Sequence, residues 1–184
     1  MELIHQYNIR PAAIADVPAM LDIYAPFVRD TAITFEYEVP QIAEFEDRLR
    51  YVTLHYPWLV AVYEGKLAGY AYAVRFRERA AYQWCCECSV YIHPDFRRKG
   101  LATRLYGHLF QELKQRGFIN VYAVITLPNP ESVALHEHLG FESAGILRNS
   151  GYKLDAWHDV FIMERFLDRH PEHPTLPNLH RNIG

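Results

Sequence analysis

The stretch V-Y-I-H-P-D-F-R-R-K-G-L-A-T, residues 90–103, decides the fold. Its first residues close an apolar run, Trp84 to Ile92, that reads as a strand. His93-Pro94-Asp95 ends that strand, because proline cannot continue a ladder. A basic loop with one glycine follows. Leu101, Leu105, Leu109 and Leu113 then step by four, which predicts an amphipathic helix from about Leu101 to Arg116. Gly117 stands at its C′ position. The order strand, basic loop, helix sets the unpaired N–H groups and partial positive charge of a helix start beside Arg97, Arg98 and Lys99. Gly100 allows close backbone approach, and Ala102 keeps the first turn slim. The expectation is an anion cradle fit for a pyrophosphate. The alternative is a strand–loop–helix of purely structural purpose. Neither the P-loop pattern nor the dinucleotide fingerprint G-x-G-x-x-G occurs in this stretch.

Upstream, Tyr7 to Pro11 reads as a short strand. Asp16 suits an N-cap and Pro18 a first helical turn; Val17, Met20, Leu21, Tyr24 and Val28 follow at helical spacing. Thr31 to Glu38 reads as a loop, and Gln41 to Tyr56 as a helix with Phe45, Leu49 and Val52 inward. Trp58 to Tyr63 and Leu67 to Val74 form strands around a turn at Glu64-Gly65-Lys66. Residues 75–84 connect to the decisive strand. Downstream come a strand at Asn120 to Ile125, a loop at 127–130 and a short helix from Glu131 to Leu139, ended by Gly140. Phe141 to Leu147 and Asp159 to Arg165 close the pattern as two strands, a hairpin with a long connection. The whole predicts a mixed α/β (α+β) domain: a mostly antiparallel central sheet flanked by helices.

The 184 residues suit one domain with a short appendage, and a 50% hydrophobic content supplies a core. A net charge of −3 without a long basic block argues against a dedicated nucleic-acid binder. No apolar run approaches bilayer length, and Met1 to Arg10 lacks the pattern of a secretory signal, so no membrane association and a cytoplasmic location are expected. Cys85, Cys86 and Cys88 are odd in number, which argues against a disulfide framework. On a strand, Cys86 and Cys88 share one face and Cys85 takes the other. No metal site is expected. Weak binding by His170, His173 and His180 in the tail is the minor alternative.

The spacing Arg97-x-x-Gly100-x-Ala102 resembles the [Q/R]-x-x-G-x-[G/A] signature of the GNAT superfamily of acyl-CoA N-acyltransferases. The resemblance covers roughly Ile9 to Arg165 and implies a GNAT domain over residues 1–167; the tail over 168–184, with its several prolines and histidines, reads as a mobile extension. It implies acetyl-CoA as co-substrate, lying where the signature strand and the next one splay apart. Val90, Tyr91 and Ile92 would pair with the pantetheine amides as an added strand does. Arg97, Arg98, Lys99, Gly100, Leu101, Ala102 and Thr103 would hold the pyrophosphate, with Asn129 and Ser132 as further cofactor contacts.

Four further segments resemble the phosphinothricin N-acetyltransferase family: R-E-R-A-A-Y-Q-W (77–84), E-C-S-V-Y-I-H-P (87–94), S-V-A-L-H-E-H-L-G-F (132–141) and G-Y-K-L-D-A-W-H-D-V (151–160). T-A-I-T-F-E (31–36) is similar too. Members acetylate the α-amino group of phosphinothricin, methionine sulfoximine or methionine sulfone. The resemblance makes Glu87 the base, which also fits an ionisable group among apolar strand residues whose pKa burial would raise. A salt bridge to a nearby arginine is the alternative. His136 stands where many relatives carry a proton-donating tyrosine; packing against the cofactor is its alternative role. Arg77 and Arg79 match the basic pair that grips the acid group, with Arg75 a weaker candidate. Phe35, Tyr82 and Tyr91 would form the pocket's apolar wall, or pack in the core. Lys153, Trp157, His158 and Asp159 fall in a region that lies near the substrate or the dimer contact in relatives, and a homodimer is expected. Other readings are transfer to a polyamine, an aminoglycoside or a protein N-terminus, and a CoA-binding protein without catalysis.

Overall fold

The computed structural model describes residues 7–179. The chain runs through β1 (Asn8–Pro11), α1 (Val17–Asp30), α2 (Ile42–Thr53), β2 (Trp58–Tyr63), β3 (Lys66–Arg75) and β4 (Cys85–Ile92). It continues through α3 (Leu101–Gln115), β5 (Asn120–Thr126), α4 (Pro130–His138), β6 (Glu142–Lys153) and β7 (Ala156–Phe166). The strands form one sheet in the order β1-β2-β3-β4-β5-β7-β6. All neighbours are antiparallel except β4 and β5. Alternation along β2 sends Trp58 and Val60 to one face and Leu59 and Ala61 to the other. On the first face lie Val17, Met20, Tyr24 and Val28 of α1 with Phe45 and Leu49 of α2. On the second lies α3, whose Leu101, Leu105, Leu109 and Leu113 are all buried, as their spacing required.

The structure corrects several local expectations. Asp16 stands at the N-cap position of α1, as expected, but its side chain makes no capping bond there. Its carboxylate closes a short turn, accepting the Ala13 N–H at 2.8 Å and pairing with Arg10 at 2.7 Å. β6 and β7 are joined by a tight turn at Leu154 and Asp155, with φ of 51° and 58°, rather than by a long connection. Such left-handed pairs match the twist of a hairpin, but their usual Asn-Gly signature is missing from this sequence. β6 is also longer than its pattern suggested, because it is an exposed edge interrupted by irregularities near Gly145 and between Leu147 and Gly151.

The segment expected to extend freely packs on the body over its described part. The Trp84 indole N–H donates to the Thr175 carbonyl at 2.7 Å, and Asn178 N–H donates to the Arg116 carbonyl at 2.7 Å. His170 faces the Asn120 side chain at 2.8 Å. Among the described residues no group of three His, Cys, Asp or Glu is placed to hold a metal, and His180 lies outside them. All three cysteines are free thiols. Cys85 and Cys88 have the C-x-x-C spacing, but a strand turns residues three apart to opposite faces. Among the described residues no helix is long and apolar enough to cross a membrane.

Candidate active site

β4 and β5 pair only at Cys85–Asn120, Cys86–Val121 and Glu87–Tyr122. Beyond that they diverge. β4 stays paired to β3 as far as Ile92, and β5 stays paired to β7 as far as Thr126. Their facing edges therefore part inside the sheet. A cavity of about 70 Å³ lies in the fork, lined by Cys88 to Tyr91, Ala123 to Thr126, Tyr106, Asn129, Ser132, His136 and Ile33. A groove of about 490 Å³ shares Ile33, Val90, Tyr91, Asn129 and Ser132 with it, and reaches Ile92, Arg97, Arg98 and residues 100–103. Each diverging strand leads toward a helix, so the N-termini of α3 and α4 border the same opening.

The α3 end has no side-chain cap. The N–H groups of Leu101, Ala102 and Thr103, which line the groove, thus have no partner within the helix. Gly100 precedes them at φ 71°, a left-handed conformation that glycine adopts without penalty, and Arg98 is left-handed at φ 59°. Arg97 lays its guanidinium over the Phe27 ring, 5.4 Å from the centroid. Arg98 reaches Glu131 across the groove mouth at 3.1 Å. Lys99 departs from expectation: its ammonium bonds the Asp95 carbonyl at 2.8 Å, and it does not line the groove. Asn129 caps α4, its side-chain oxygen accepting the Ser132 N–H at 3.2 Å.

Glu87 lies at the closed end of the fork, two residues before Ser89 on the same face of β4. Burial raises its pKa. Among the described residues it has no ion-pair partner, which removes the salt-bridge alternative. Tyr72, the register partner of Ser89, has its hydroxyl pushed up to about 12 by burial, with the Glu87 charge adding to the rise. His136 is buried, and desolvation lowers its pKa. Its Nδ1 lies 2.7 Å from the Ser132 carbonyl, so that nitrogen carries the proton. Its Nε2 then accepts from the Tyr106 hydroxyl at 3.2 Å. Tyr106 was not singled out from the sequence. Its signal was a polar-tipped ring one residue past Leu105 in a leucine stripe.

Of the remaining expected residues, Tyr91 lines this cavity, whereas Phe35, Arg77, Arg79 and Tyr82 do not. Arg77 stacks on Phe76 and Tyr82, 5.1 and 5.7 Å from their centroids. Arg79 precedes the short turn Ala80–Tyr82, and Arg75 pairs with Glu78 at 2.9 Å. Phe35 instead packs on Gly151 and lies 6.3 Å from the His158 ring. Tyr91 lines both cavity and groove, edge-on to Tyr24 and Phe27.

A sheet parted between its two parallel strands, with an uncapped glycine-led helix beside the opening, defines an acyl-CoA-type transferase. The chain belongs to the GNAT acetyltransferase family: residues 9–162 match the acetyltransferase (GNAT) domain. It is 43% identical over 158 residues to a phosphinothricin N-acetyltransferase of Streptomyces viridochromogenes, covering 86% of each chain. It is 33% identical over 166 residues to an L-methionine sulfoximine/L-methionine sulfone acetyltransferase of Pseudomonas aeruginosa, covering 88% of this chain and 95% of that one. A phosphinothricin acetyltransferase of Sinorhizobium meliloti, solved in complex with acetyl-CoA, superposes with a TM-score of 0.86 at 35% identity, covering 96% of this chain and 100% of the other.

Proposed function

We propose that this enzyme transfers the acetyl group of acetyl-CoA to the α-amino group of a small amino acid of the phosphinothricin, methionine sulfoximine or methionine sulfone type. The observation that carries this reading is the uncapped α3 N-terminus opening onto the fork between β4 and β5. Acetyl-CoA supplies an activated thioester. The N–H groups of Leu101, Ala102 and Thr103 with Arg97 and Arg98 suit its diphosphate, and the edge of Val90 to Ile92 that β5 leaves without a partner strand suits its amide-bearing arm. Asn129 and Ser132 flank that arm. Arg77 and Arg79 offer planar donor forks to the acid groups of the amine.

An α-amino group is protonated near neutrality and attacks only as the free amine. Glu87 takes the proton, directly or through a water. Tyr106 and His136 both line the cavity, and the Tyr106 hydroxyl proton, turned from His136 Nε2 toward the departing sulfur, serves as the donor to it. His136, protonated at Nδ1, accepts that proton at Nε2 when no sulfur is there and so keeps the hydroxyl at the cavity wall between turnovers. Tyr106→Phe is accordingly expected to lower kcat by about 10- to 100-fold, the value of one hydrogen bond to a charged atom. Unchanged kcat in steady-state assays would leave the sulfur without this donor.

The reading extends to a homodimer in the reducing cytoplasm. Exposed Ile146, Leu147, Leu154 and Trp157 along the β6–β7 edge support self-association, and three free thiols support the compartment. Sedimentation of the intact chain tests the dimer, and a monomer at micromolar concentration refutes it. The function itself is tested by following thiol release with acetyl-CoA and a panel of phosphinothricin, methionine sulfone, methionine sulfoximine, polyamines and an aminoglycoside. Release confined to the amino-acid analogues supports the proposal, and release confined to the polycations overturns it.

A further inference from the structure

The segment between α1 and α2 belongs to neither helices nor sheet, yet its Ile33 lines both the cavity and the groove. Something must hold it. On one side the Tyr24 hydroxyl of α1 meets the Thr34 hydroxyl at 2.7 Å. On the other side, besides Arg48 of α2 at Glu36 and the His158 ring of β7 beside Phe35, it is met by three consecutive residues at the end of β6. Lys153 Nζ donates to the Thr34 carbonyl at 2.7 Å. The Tyr37 hydroxyl donates to the Tyr152 carbonyl at 2.5 Å. The Phe35 ring lies so close over Gly151 that a Cβ there would stand 2.1 Å from its atoms.

Lys153 is 3% exposed. Lysine is almost never buried so fully without a partner, and an unpaired ammonium in such surroundings is costly. A residue that merely filled this space would be apolar, since a buried charge adds little stability over a hydrophobic side chain of similar volume. What the ammonium adds is direction: it fixes one carbonyl, that of Thr34, between its neighbours Ile33 and Phe35.

We propose that Lys153 is a positioning residue for the acceptor side of the site, tying the 31–38 loop to the β6–β7 hairpin and so setting where Ile33 and Phe35 stand. This rests on reading the fork as the acyl-transfer site. The hairpin tip and the loop then move as one wall, and Gly151 is required because any side chain there displaces Phe35.

The test uses Lys153→Met, which keeps the apolar stem and removes the donor, with Gly151→Ala and Tyr37→Phe as independent breaks of the same wall. Two readouts are taken: KM for the amine against KM for acetyl-CoA, and hydrogen exchange of amides 31–38. Lys153→Met and Gly151→Ala are expected to raise the amine KM about tenfold, leave the acetyl-CoA KM within about twofold, and speed exchange in the loop. Tyr37→Phe gives a smaller shift in the same direction. Unchanged amine KM and loop exchange in both Lys153→Met and Gly151→Ala overturn the inference. So does a uniform loss of kcat, both KM values and melting temperature, which marks a merely structural lysine. Should Lys153→Met fail to fold, Gly151→Ala and Tyr37→Phe decide. Should the native chain acetylate no amine at all, the acyl-transfer reading fails, whereas loop exchange still reports on the tether.

Discussion

Glu87→Gln turns over about 10²- to 10⁴-fold more slowly at neutral pH while binding acetyl-CoA with native affinity. The glutamine keeps the shape of the side chain but accepts no proton. Burial raises the Glu87 pKa, and no cation among the described residues opposes that rise. The sign of the pH dependence follows. Only the carboxylate works as a base, so the native kcat/KM for the amine falls as pH drops through a value above the usual carboxylate range. The Gln variant lacks that acidic limb and stays uniformly slow. A pH series with each chain, read by thiol release, checks both points. Native turnover in Glu87→Gln, or an acidic limb retained by it, assigns the proton to another acceptor.

Gly100→Val is expected to cost the larger share of cofactor affinity, about 100-fold or more, the value of two hydrogen bonds to a charged oxygen. The position has φ 71°. A β-branched residue pays roughly 1–2 kcal/mol to remain there, and otherwise relaxes toward negative φ. Relaxation swings the N–H groups of Leu101 to Thr103 away from the groove, and retention projects branched methyls beside it. Calorimetric titration with acetyl-CoA measures the loss, and a circular dichroism melt confirms that the chain is folded. Native affinity in a folded Gly100→Val would mean that the diphosphate is held elsewhere.

Much of this architecture was legible wherever one periodicity ran uninterrupted. β2 begins and ends at its expected residues, and the leucines of α3 announce both the helix and its buried face. β6 was not legible beyond its first half, because an exposed edge carries no alternation and its turn at Leu154-Asp155 lacks the usual glycine. Much of the groove lining was readable because most of its residues lie in one stretch, from Val90 to Thr103. The wall between the 31–38 loop and the β6–β7 hairpin is assembled from Thr34, Phe35, Gly151 and Lys153, distant in sequence and linked only by the fold. Tyr106 escaped notice for a related reason: a tyrosine among leucines reads as core until His136, thirty residues on, is found against its hydroxyl.

The departure of β4 from β5 after three paired residues gives this seven-stranded sheet a third rim, at its centre. An outer rim is screened by sequence choice, but this one keeps its amides bare by design, so the middle of the molecule is where the fold is least self-sufficient. A coenzyme arm seated there would do the work of a missing strand. Occupancy would then contribute to holding the protein together as well as to chemistry, by about 2.7 kcal/mol when the free coenzyme stands at a hundred times its dissociation constant.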